Sequence, residues 1–309
     1  MVRTQEEEMK HASKVTALLL LFFFLAQLLG LGLLAIEAQA TGATVEYAPT
    51  AIGERPQFES SYGPTVYLLV GVGIGTILLL WIMRMRNARA IWKWWYFLAI
   101  LLAVTAALGV VLPTVMALVF AGFLAYQKTH HYNIFVHNIT ELFMYAGLAV
   151  LFVPVFTVAW AAVLLIIISV YDMYAVWKSQ HMVRLATFTK KNQLFAGILV
   201  NYETKGKKTT LLQSNPDALK QKPKKINSAL LGGGDVLFPL LFTGAVFTQL
   251  LTEVGSKAVA LLGSFVIVGT TALALYLLFS LGKKHKFYPA MPFVSIGCFV
   301  GYVLVQLLI

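Results

Sequence analysis

Long apolar blocks dominate the chain, and they constrain its fold more strongly than any other feature of the sequence. Hydrophobic residues make up 59% of the 309 residues. They are grouped in blocks of roughly 15–25 residues, the length that spans a bilayer as a helix. A membrane β-barrel would need apolar and polar residues to alternate one by one, and the blocks do not alternate in this way. The sequence therefore predicts an all-α, polytopic membrane protein.

Polar stretches and proline breaks divide the apolar blocks into nine predicted transmembrane helices. Pro113 splits one block that is too long for a single span, and Pro154 separates two others. The first block is longer than the apolar core of a signal peptide, so we expect a retained helix, with cleavage at Ala38-Gln39-Ala40 as the alternative. The predicted spans are, approximately, 15–36, 65–83, 94–112, 113–126, 138–152, 156–177, 229–251, 258–281 and 289–308. We predict one integral membrane domain, consisting of a tail at 1–14, helices one to six within 15–177, a flexible basic loop at 178–228, and helices seven to nine within 229–309.

The positive charge of the chain, +11 in total, lies almost wholly in the polar connections. Of the 24 lysine and arginine residues, all but Arg55 and Lys257 fall on one side of the predicted topology. Because Lys and Arg concentrate in cytoplasmic loops, we predict a cell-membrane protein with its N-terminus in the cytoplasm and its C-terminus outside. The 178–228 loop is then cytoplasmic. The charge reflects this topology and does not indicate a nucleic-acid partner.

An acid follows three glycines at the head of the seventh predicted helix, in Gly232-Gly233-Gly234-Asp235. An ionised acid inside a bilayer helix costs roughly 3 kcal/mol or more, and each glycine costs roughly 1 kcal/mol against alanine in a helix. Pro239 adds a further penalty, because its missing N–H would have bonded the carbonyl of Asp235. Membrane anchoring requires none of these features, so the stretch indicates a functional site. An acid that merely sits at a helix end near the interface is the simpler alternative.

A second acid, Asp172, lies in the last third of the sixth predicted helix, in Ile168-Ser169-Val170-Tyr171-Asp172. Ser169 and Ala175 share a helix face with this acid, and so small a face allows another helix to approach closely. Two carboxyl groups held close together cannot both ionise easily. In aspartic proteases such a pair shares a proton and positions a water molecule.

The two acids and their neighbours resemble the motifs of presenilin and signal peptide peptidase, the GxGD intramembrane aspartyl proteases. Tyr171-Asp172 is similar to the first motif of that family, and Gly232-x-Gly234-Asp235 is similar to the second. Pro289-Ala290-Met291 stands where the family has Pro-Ala-Leu at the start of the last span, and it departs at the third position. The resemblance covers 138–309. With its short first half and bare final helix, the chain looks most like the archaeal homologues.

The resemblance implies a presenilin-like fold and an aspartic endopeptidase that cuts peptide bonds within transmembrane helices. Asp172 and Asp235 would be the catalytic pair, in which one acid takes a proton from water and the other polarises the peptide carbonyl. Tyr171, Gly232 and Gly234 would support this pair as motif residues. The implied partners are transmembrane helical proteins or signal peptides and membrane lipid. The family needs no cofactor or nucleic acid, and a homo-oligomer is compatible with the sequence.

The last motif is expected to bind the substrate. Pro289 and Pro292 push the residues before them, Tyr288 and Met291, towards extended geometry. An extended stretch at Pro289, Ala290 and Met291 leaves backbone groups free to pair with an unwound substrate. Two prolines that merely begin the ninth helix are the simpler alternative. Met291 keeps the bulk of the family leucine, so we expect the motif to work.

An ion- or proton-coupled transporter or channel is the alternative function, since intramembrane acids also relay protons or bind cations. Transporters commonly have broken helices at matching places in two halves, and here only the seventh predicted helix is strongly broken. Two further groups have simpler explanations. His130, His131 and His137 predict an interfacial loop and no metal site, and Asn138 with Glu141 fits a capping box that opens the fifth helix.

Overall fold

The structure is a computed structural model that describes residues 13–41, 44–82, 85, 88–131, 133–179, 196–204, 225–282 and 288–308. Within these residues the chain forms nine α-helices and two short two-stranded β-ribbons. The helices are α1 (Ser13–Glu37), α2 (Gly63–Ile82), α3 (Ala88–Leu108), α4 (Thr114–His130), α5 (Ile134–Phe152), α6 (Val158–Tyr174), α7 (Gly233–Val254), α8 (Lys257–Leu281) and α9 (Met291–Leu308).

Seven of the described helices are long and apolar enough to cross a membrane, namely α1, α3, α5, α6, α7, α8 and α9. Of the two others, α4 has 17 residues, and α2 has 20 residues and is apolar throughout. Helix α4 is therefore at the lower end of the length range of membrane-spanning helices, whereas α2 has the usual length. The predicted class, an all-α polytopic membrane protein, is confirmed. The count of nine crossings stays a prediction.

Helix α7 lies at the centre of the bundle and is buried more completely than the other membrane-length helices. It contacts α1, α5, α6, α8 and α9. Its large apolar side chains, among them Phe242, Phe247 and Leu250, are at most 1% exposed. The helix that carries Asp235 is therefore fixed by packing on several sides.

Glycines allow two pairs of helices to approach closely. A Cβ atom at Gly147 of α5 would clash with the carbonyl of Ala103 in α3, and one at Gly297 of α9 would lie 2.7 Å from the Cα atom of Thr271 in α8. Small residues are the usual means of packing membrane helices, because lipid is as apolar as the helices themselves. A larger residue at either glycine would push its helix pair apart.

Two antiparallel ribbons accompany the helices. Strand β1 (Ala38–Thr41) follows α1 and pairs with β2 (Thr44–Tyr47). Strand β3 (Gly197–Thr204) pairs with β4 (Lys225–Gly232), and β4 runs directly into α7. The second ribbon packs against α1, α5 and α7, so it links the predicted loop to the helix that carries Asp235.

The β3–β4 ribbon corrects the predicted boundaries of this loop. We expected a flexible loop over 178–228, with strand pairing within 187–202 as the alternative, and a helix from residue 229. Instead, residues 197–204 and 225–232 form strands, and α7 begins only at Gly233. Ile198 and Leu231 are at most 2% exposed, so buried apolar side chains hold both strands against the bundle. The rest of the predicted loop, 180–195 and 205–224, lies outside the described residues.

Helix α5 begins about one turn before the predicted capping box. Its N-cap is Asn133, whose side-chain oxygen accepts hydrogen bonds from the amides of Phe135 and Val136. The predicted cap at Asn138 and Glu141 is therefore wrong, because both residues are buried inside the helix. An earlier polar residue already satisfies the first-turn amides, which leaves Asn138 and Glu141 to make contacts with other elements.

Candidate active site

Asp172 lies in the last turn of α6, just before the helix continues as a π-turn at Ala175–Ser179. The residue is 5% exposed. One turn earlier, Ser169 Oγ lies 2.8 Å from Ser295 Oγ of α9. The prediction that another helix approaches this small face is confirmed, and the pair of hydroxyl groups fixes the end of α6 against α9. Single π-turns in helices occur frequently at functional sites.

The start of α9 holds the carboxyl group of Asp172. The backbone N–H of Met291 donates to Asp172 Oδ2 at 3.1 Å, and the N–H of Ala290 donates to the same carboxyl group. The first amides of a helix lack acceptors within the helix. Asp172 supplies such an acceptor, and the positive end of the helix dipole favours a carboxylate there. The first and third motifs are therefore joined by hydrogen bonds.

Asp235 lies in the first turn of α7, three residues after the N-cap, Gly232. Its carboxyl group accepts a hydrogen bond from the Gly232 amide, which is the reverse half of a capping box. A Cβ atom at Gly232 would lie 3.0 Å from Asp235 Oδ2, so a larger residue would press on the carboxyl group. The glycines begin the helix and do not interrupt it, so Gly232 escapes the penalty that we expected for glycine inside a helix.

Pro239 leaves the carbonyl of Asp235 without its usual helical donor. One residue on, the carbonyl of Val236 accepts a 2.9 Å hydrogen bond from Nε2 of Gln27 in α1. Gln27 is fully buried. A side chain from another helix therefore supports the turn in which the proline removes a backbone bond.

The structure brings Asp172 and Asp235 together. Helices α6 and α7 are in contact, and the two carboxyl groups are close enough to interact electrostatically. Ionising both groups would create two like charges that repel each other, so such a pair favours a state in which one group is protonated. A pair in this state can orient a water molecule between a proton acceptor and a proton donor.

The remaining motif residues differ in their relation to the acids. Pro289 is buried, and Met291 is 3% exposed next to Asp172. Gly234 faces its own helix, because a Cβ atom there would lie 3.3 Å from the ring of Phe238. Tyr171 is 47% exposed, whereas its neighbour Asp172 is buried. Of the two residues of the first motif, only the acid is therefore enclosed by the protein.

Sequence reasoning missed a buried polar cluster near the head of α7. The hydroxyl of Tyr96 donates to Glu141 Oε1 at 3.0 Å, and Lys128 forms an ion pair with the same carboxyl group. Tyr145 lies one turn after Glu141, and its hydroxyl would be 2.9 Å from a Cβ atom at Gly233. A signal for this cluster was present in the sequence, because charged residues inside apolar blocks are costly unless they are paired.

The three histidines do not form one group. His130 and His131 are exposed, at the surface where we predicted them. His137 is buried inside α5, and its Nε2 lies 2.8 Å from the carbonyl oxygen of Gly197, so its predicted place in a loop is wrong. Among the described residues, no cluster of His, Cys, Asp and Glu has the size needed to hold a metal ion.

The helices and the two acids define a polytopic membrane protein with a pair of carboxyl groups, that of Asp172 buried and that of Asp235 partly buried, between adjoining helices. A family model described as signal-peptide peptidase, presenilin aspartyl protease matches residues 65–309. The chain therefore belongs to the signal-peptide peptidase and presenilin family of aspartyl proteases.

Two solved structures of a presenilin family intramembrane aspartate protease are similar to this chain over nearly its whole length. The structure in the C222 space group has a TM-score of 0.59 and 16% identity, and it covers 94% of this chain and 97% of its own. The structure in the P2 space group has a TM-score of 0.58 and 17% identity, with the same coverage. At these identities the similarity concerns the fold, and the predicted presenilin-like fold is confirmed. Comparison with curated protein sequences finds no significant match.

Proposed function

We propose that the protein is an intramembrane aspartyl endopeptidase that hydrolyses peptide bonds with Asp172 and Asp235. The observation that carries the proposal is the meeting of these two carboxyl groups at the junction of α6 and α7. Both acids lie within membrane-length helices, where an unpaired charge would be costly. Membership of an aspartyl protease family supports the same chemistry.

In the proposed reaction, a water molecule between the two carboxyl groups attacks the carbonyl carbon of the scissile peptide bond. One carboxylate accepts a proton from the water, while the protonated partner donates a hydrogen bond to the carbonyl oxygen. The tetrahedral intermediate then collapses as the C–N bond breaks and the leaving nitrogen takes up a proton. The products are one new carboxyl end and one new amine. Water and the acid pair supply every proton, so the reaction needs no cofactor.

Hydrogen bonds from the protein orient both acids before a substrate binds. Met291 and Ala290 donate to Asp172, and the Gly232 amide donates to Asp235. Because catalytic groups lose rate steeply when they are misplaced, these backbone donors would contribute to catalysis through positioning. The two sets of donors differ, but they do not decide which acid takes the proton from water.

Pro289, Ala290 and Met291 are proposed to contact the substrate, since Ala290 and Met291 lie beside Asp172 and Pro289 directly precedes them. Our expectation that the backbone groups of this stretch are free is wrong in part. The Met291 amide is bonded to Asp172, and the Ala290 carbonyl accepts from the amide of Val294 at 3.1 Å. Substrate contacts with this stretch would therefore rely on the side chains and on the backbone before Ala290.

The proposed substrates are transmembrane helical proteins, including signal peptides, surrounded by membrane lipid. Such a helix must unwind locally, because its peptide bonds are shielded by their own hydrogen bonds. A homo-oligomer remains compatible with this activity. Among the described residues, no feature favours the alternative of a transporter or channel.

The proposed orientation places the N-terminus in the cytoplasm and the C-terminus outside, with the 178–228 loop in the cytoplasm. A Cys298→Ser background removes the one native cysteine, and single cysteines are then introduced as Glu59→Cys and Gln221→Cys. In intact cells an impermeant thiol reagent should label only the variant at residue 59. Labelling only at residue 221 would overturn the orientation.

Cleavage of a transmembrane-helix peptide by the protein reconstituted in vesicles tests the proposed function. Asp172→Asn and Asp235→Asn should each abolish cleavage, and the double variant should be no slower than either, because the pair acts as a unit. The matched control is Glu253→Gln, which changes an exposed acid at the far end of the same helix as Asp235. Substantial cleavage by one single variant would contradict the pair. Ion flux without peptide cleavage in the parental protein would favour the transporter.

A further inference from the structure

One side of α5 reaches out of the helix bundle to strand β3. Asn138 is 3% exposed and makes two hydrogen bonds with the backbone of Leu199. Its Nδ2 donates to the Leu199 carbonyl at 2.8 Å, and its Oδ1 accepts from the Leu199 N–H at 3.0 Å. A side-chain amide presents a donor and an acceptor side by side, as an adjacent strand does. Asn138 therefore takes the position of a third strand beside β3.

The edge of β3 that Asn138 caps is the one that faces away from β4. The N–H and C=O groups of a strand residue point to the same side, so Leu199 directs both groups to Asn138 and neither to β4. Leu199 and Leu230 therefore form a pair without mutual hydrogen bonds. The carbonyl of Gly197 points to the same edge, where it contacts Nε2 of His137 at 2.8 Å. Two consecutive residues of α5 thus hold β3.

Strand β4 leads into Asp235 without an intervening loop. It ends at Gly232, which is also the N-cap of α7. The next amide, that of Gly233, donates to the carbonyl of Ala196 at 3.3 Å, and the Gly232 amide bonds the Asp235 carboxyl group. Only Gly233 and Gly234 separate the strand from the acid, so a shift of the ribbon would move Asp235.

The geometry points to Asn138 as a positioning residue for Asp235. By holding Leu199, it fixes the place of β3 against α5, and the β3–β4 pairing transfers this constraint to the head of α7. Asn138 acts through the ribbon and is not a catalytic residue. The inference deepens the proposed endopeptidase function and rests on it, because the consequence of a misplaced Asp235 is a slower cleavage step.

The first test removes the two Asn138–Leu199 hydrogen bonds by changing the helix residue, Asn138. Asn138→Leu deletes both hydrogen bonds and keeps a similar side-chain shape. The matched control is Thr140→Val, which deletes a buried hydroxyl that bonds within α5, to the Val136 carbonyl at 2.7 Å. Each variant is assayed for cleavage of a transmembrane-helix peptide and for amide hydrogen exchange in detergent.

We expect Asn138→Leu to lower kcat at least about tenfold while KM stays within about threefold, because the acid is misplaced and substrate binding is retained. Amide protection at 197–200 and 229–232 should fall in the same variant. Thr140→Val should keep the parental kcat and the parental exchange of the ribbon. If the loss of any buried polar group in α5 merely loosened the fold, Asn138→Leu and Thr140→Val would be affected alike. The effect would then not be confined to kcat.

The second test removes one of the Asn138–Leu199 hydrogen bonds by changing the strand residue, Leu199. It gives a result even if the Asn138→Leu protein fails to assemble. Leu199→Pro removes the N–H that donates to Asn138 Oδ1. It spares the β3–β4 hydrogen bonds, because that N–H points away from β4. Asn201→Pro is the matched control, since residue 201 has the same orientation one ladder step farther along β3. We expect kcat to fall at least about tenfold in Leu199→Pro and to stay near the parental value in Asn201→Pro.

A parental kcat in Asn138→Leu or Leu199→Pro overturns the inference, and so does an equal loss in the matched control. A lower kcat with unchanged protection of the ribbon also overturns it. If the parental protein cleaves no peptide, the proposed function fails on its own. In that case the exchange measurement still decides whether Asn138 holds the β3–β4 ribbon. Unchanged amide protection in Asn138→Leu would show that it does not.

Discussion

The backbone N–H of Met291 donates a hydrogen bond to Oδ2 of Asp172, although 119 positions separate the two residues in the chain. The bond joins the last turn of α6 to the first turn of α9. It gives the third motif a role that does not depend on any substrate, which is to hold an acid of the carboxyl pair. The identity of the side chain at residue 291 then matters less than the presence of its N–H.

Changing Met291 in two ways separates the side chain from the amide. Met291→Leu keeps the N–H and should cleave at about the parental rate. Met291→Pro removes the N–H, and proline is tolerated at the start of a helix. A hydrogen bond to a charged group is worth about 1.5–3 kcal/mol, so kcat should fall about 10- to 100-fold. The measurement is kcat for peptide cleavage, with thermal unfolding as the check on assembly, and a parental rate in Met291→Pro would show that the bond is dispensable.

Pro289→Ala should slow cleavage because α9 could then extend backwards through Ala290. The Ala290 amide would turn into the helix and lose its bond to Asp172, and an error of about 1 Å in position can cost about 100-fold in rate. The fall should appear in kcat as well as in KM, while thermal stability should change little, since alanine is a good helix former. Pro292→Ala is the control, because residue 292 already lies inside α9. Equal rates for Pro289→Ala and the parental protein would mean that Pro289 only begins a helix.

The buried ion pair between Lys128 and Glu141 should contribute to stability as a unit. Lys128→Met leaves the carboxylate without its partner and should lower the free energy of unfolding by about 3–5 kcal/mol. Adding Glu141→Gln removes the unpaired charge and keeps an acceptor for the Tyr96 hydroxyl, so the double variant should recover most of this loss. Denaturant unfolding in detergent of the two single variants and the double variant measures the coupling. Additive losses would contradict it.

Gln27→Leu should weaken the turn of α7 that contains Asp235. The variant removes the hydrogen bond to the Val236 carbonyl, and the loss of one such bond costs about 1 kcal/mol. Cleavage should slow as well, because the turn next to Pro239 loses its support. Gln249→Leu, at the exposed far end of the same helix, should leave kcat unchanged. Thermal unfolding and kcat are measured for both variants, and a slower Gln249→Leu would show that the effect is not local to the turn.

Much of the candidate site could be predicted because its acids are unusual inside apolar blocks. Asp172 and Asp235 are carboxylates inside apolar blocks, and the motifs around them resemble those of the family to which the chain belongs. The polar residues of α5 are unusual in the same way, because they also lie inside an apolar block. Asn138 and Glu141 also matched the local pattern of a helix cap, and this local pattern misled the prediction because Asn133 provides the cap.

The sequence by itself determined the class of the protein. The lengths of the apolar segments and the positions of the charged residues are local properties, and the bilayer responds to them directly. The sequence also indicated the two acids as functional residues. Only the tertiary structure decided which polar groups meet, as in Met291 with Asp172 and Asn138 with Leu199. The physical reason is that a hydrogen bond forms between atoms that helix packing brings within about 3 Å. That packing depends on contacts between helices far apart in the chain, which neither composition nor periodicity specifies.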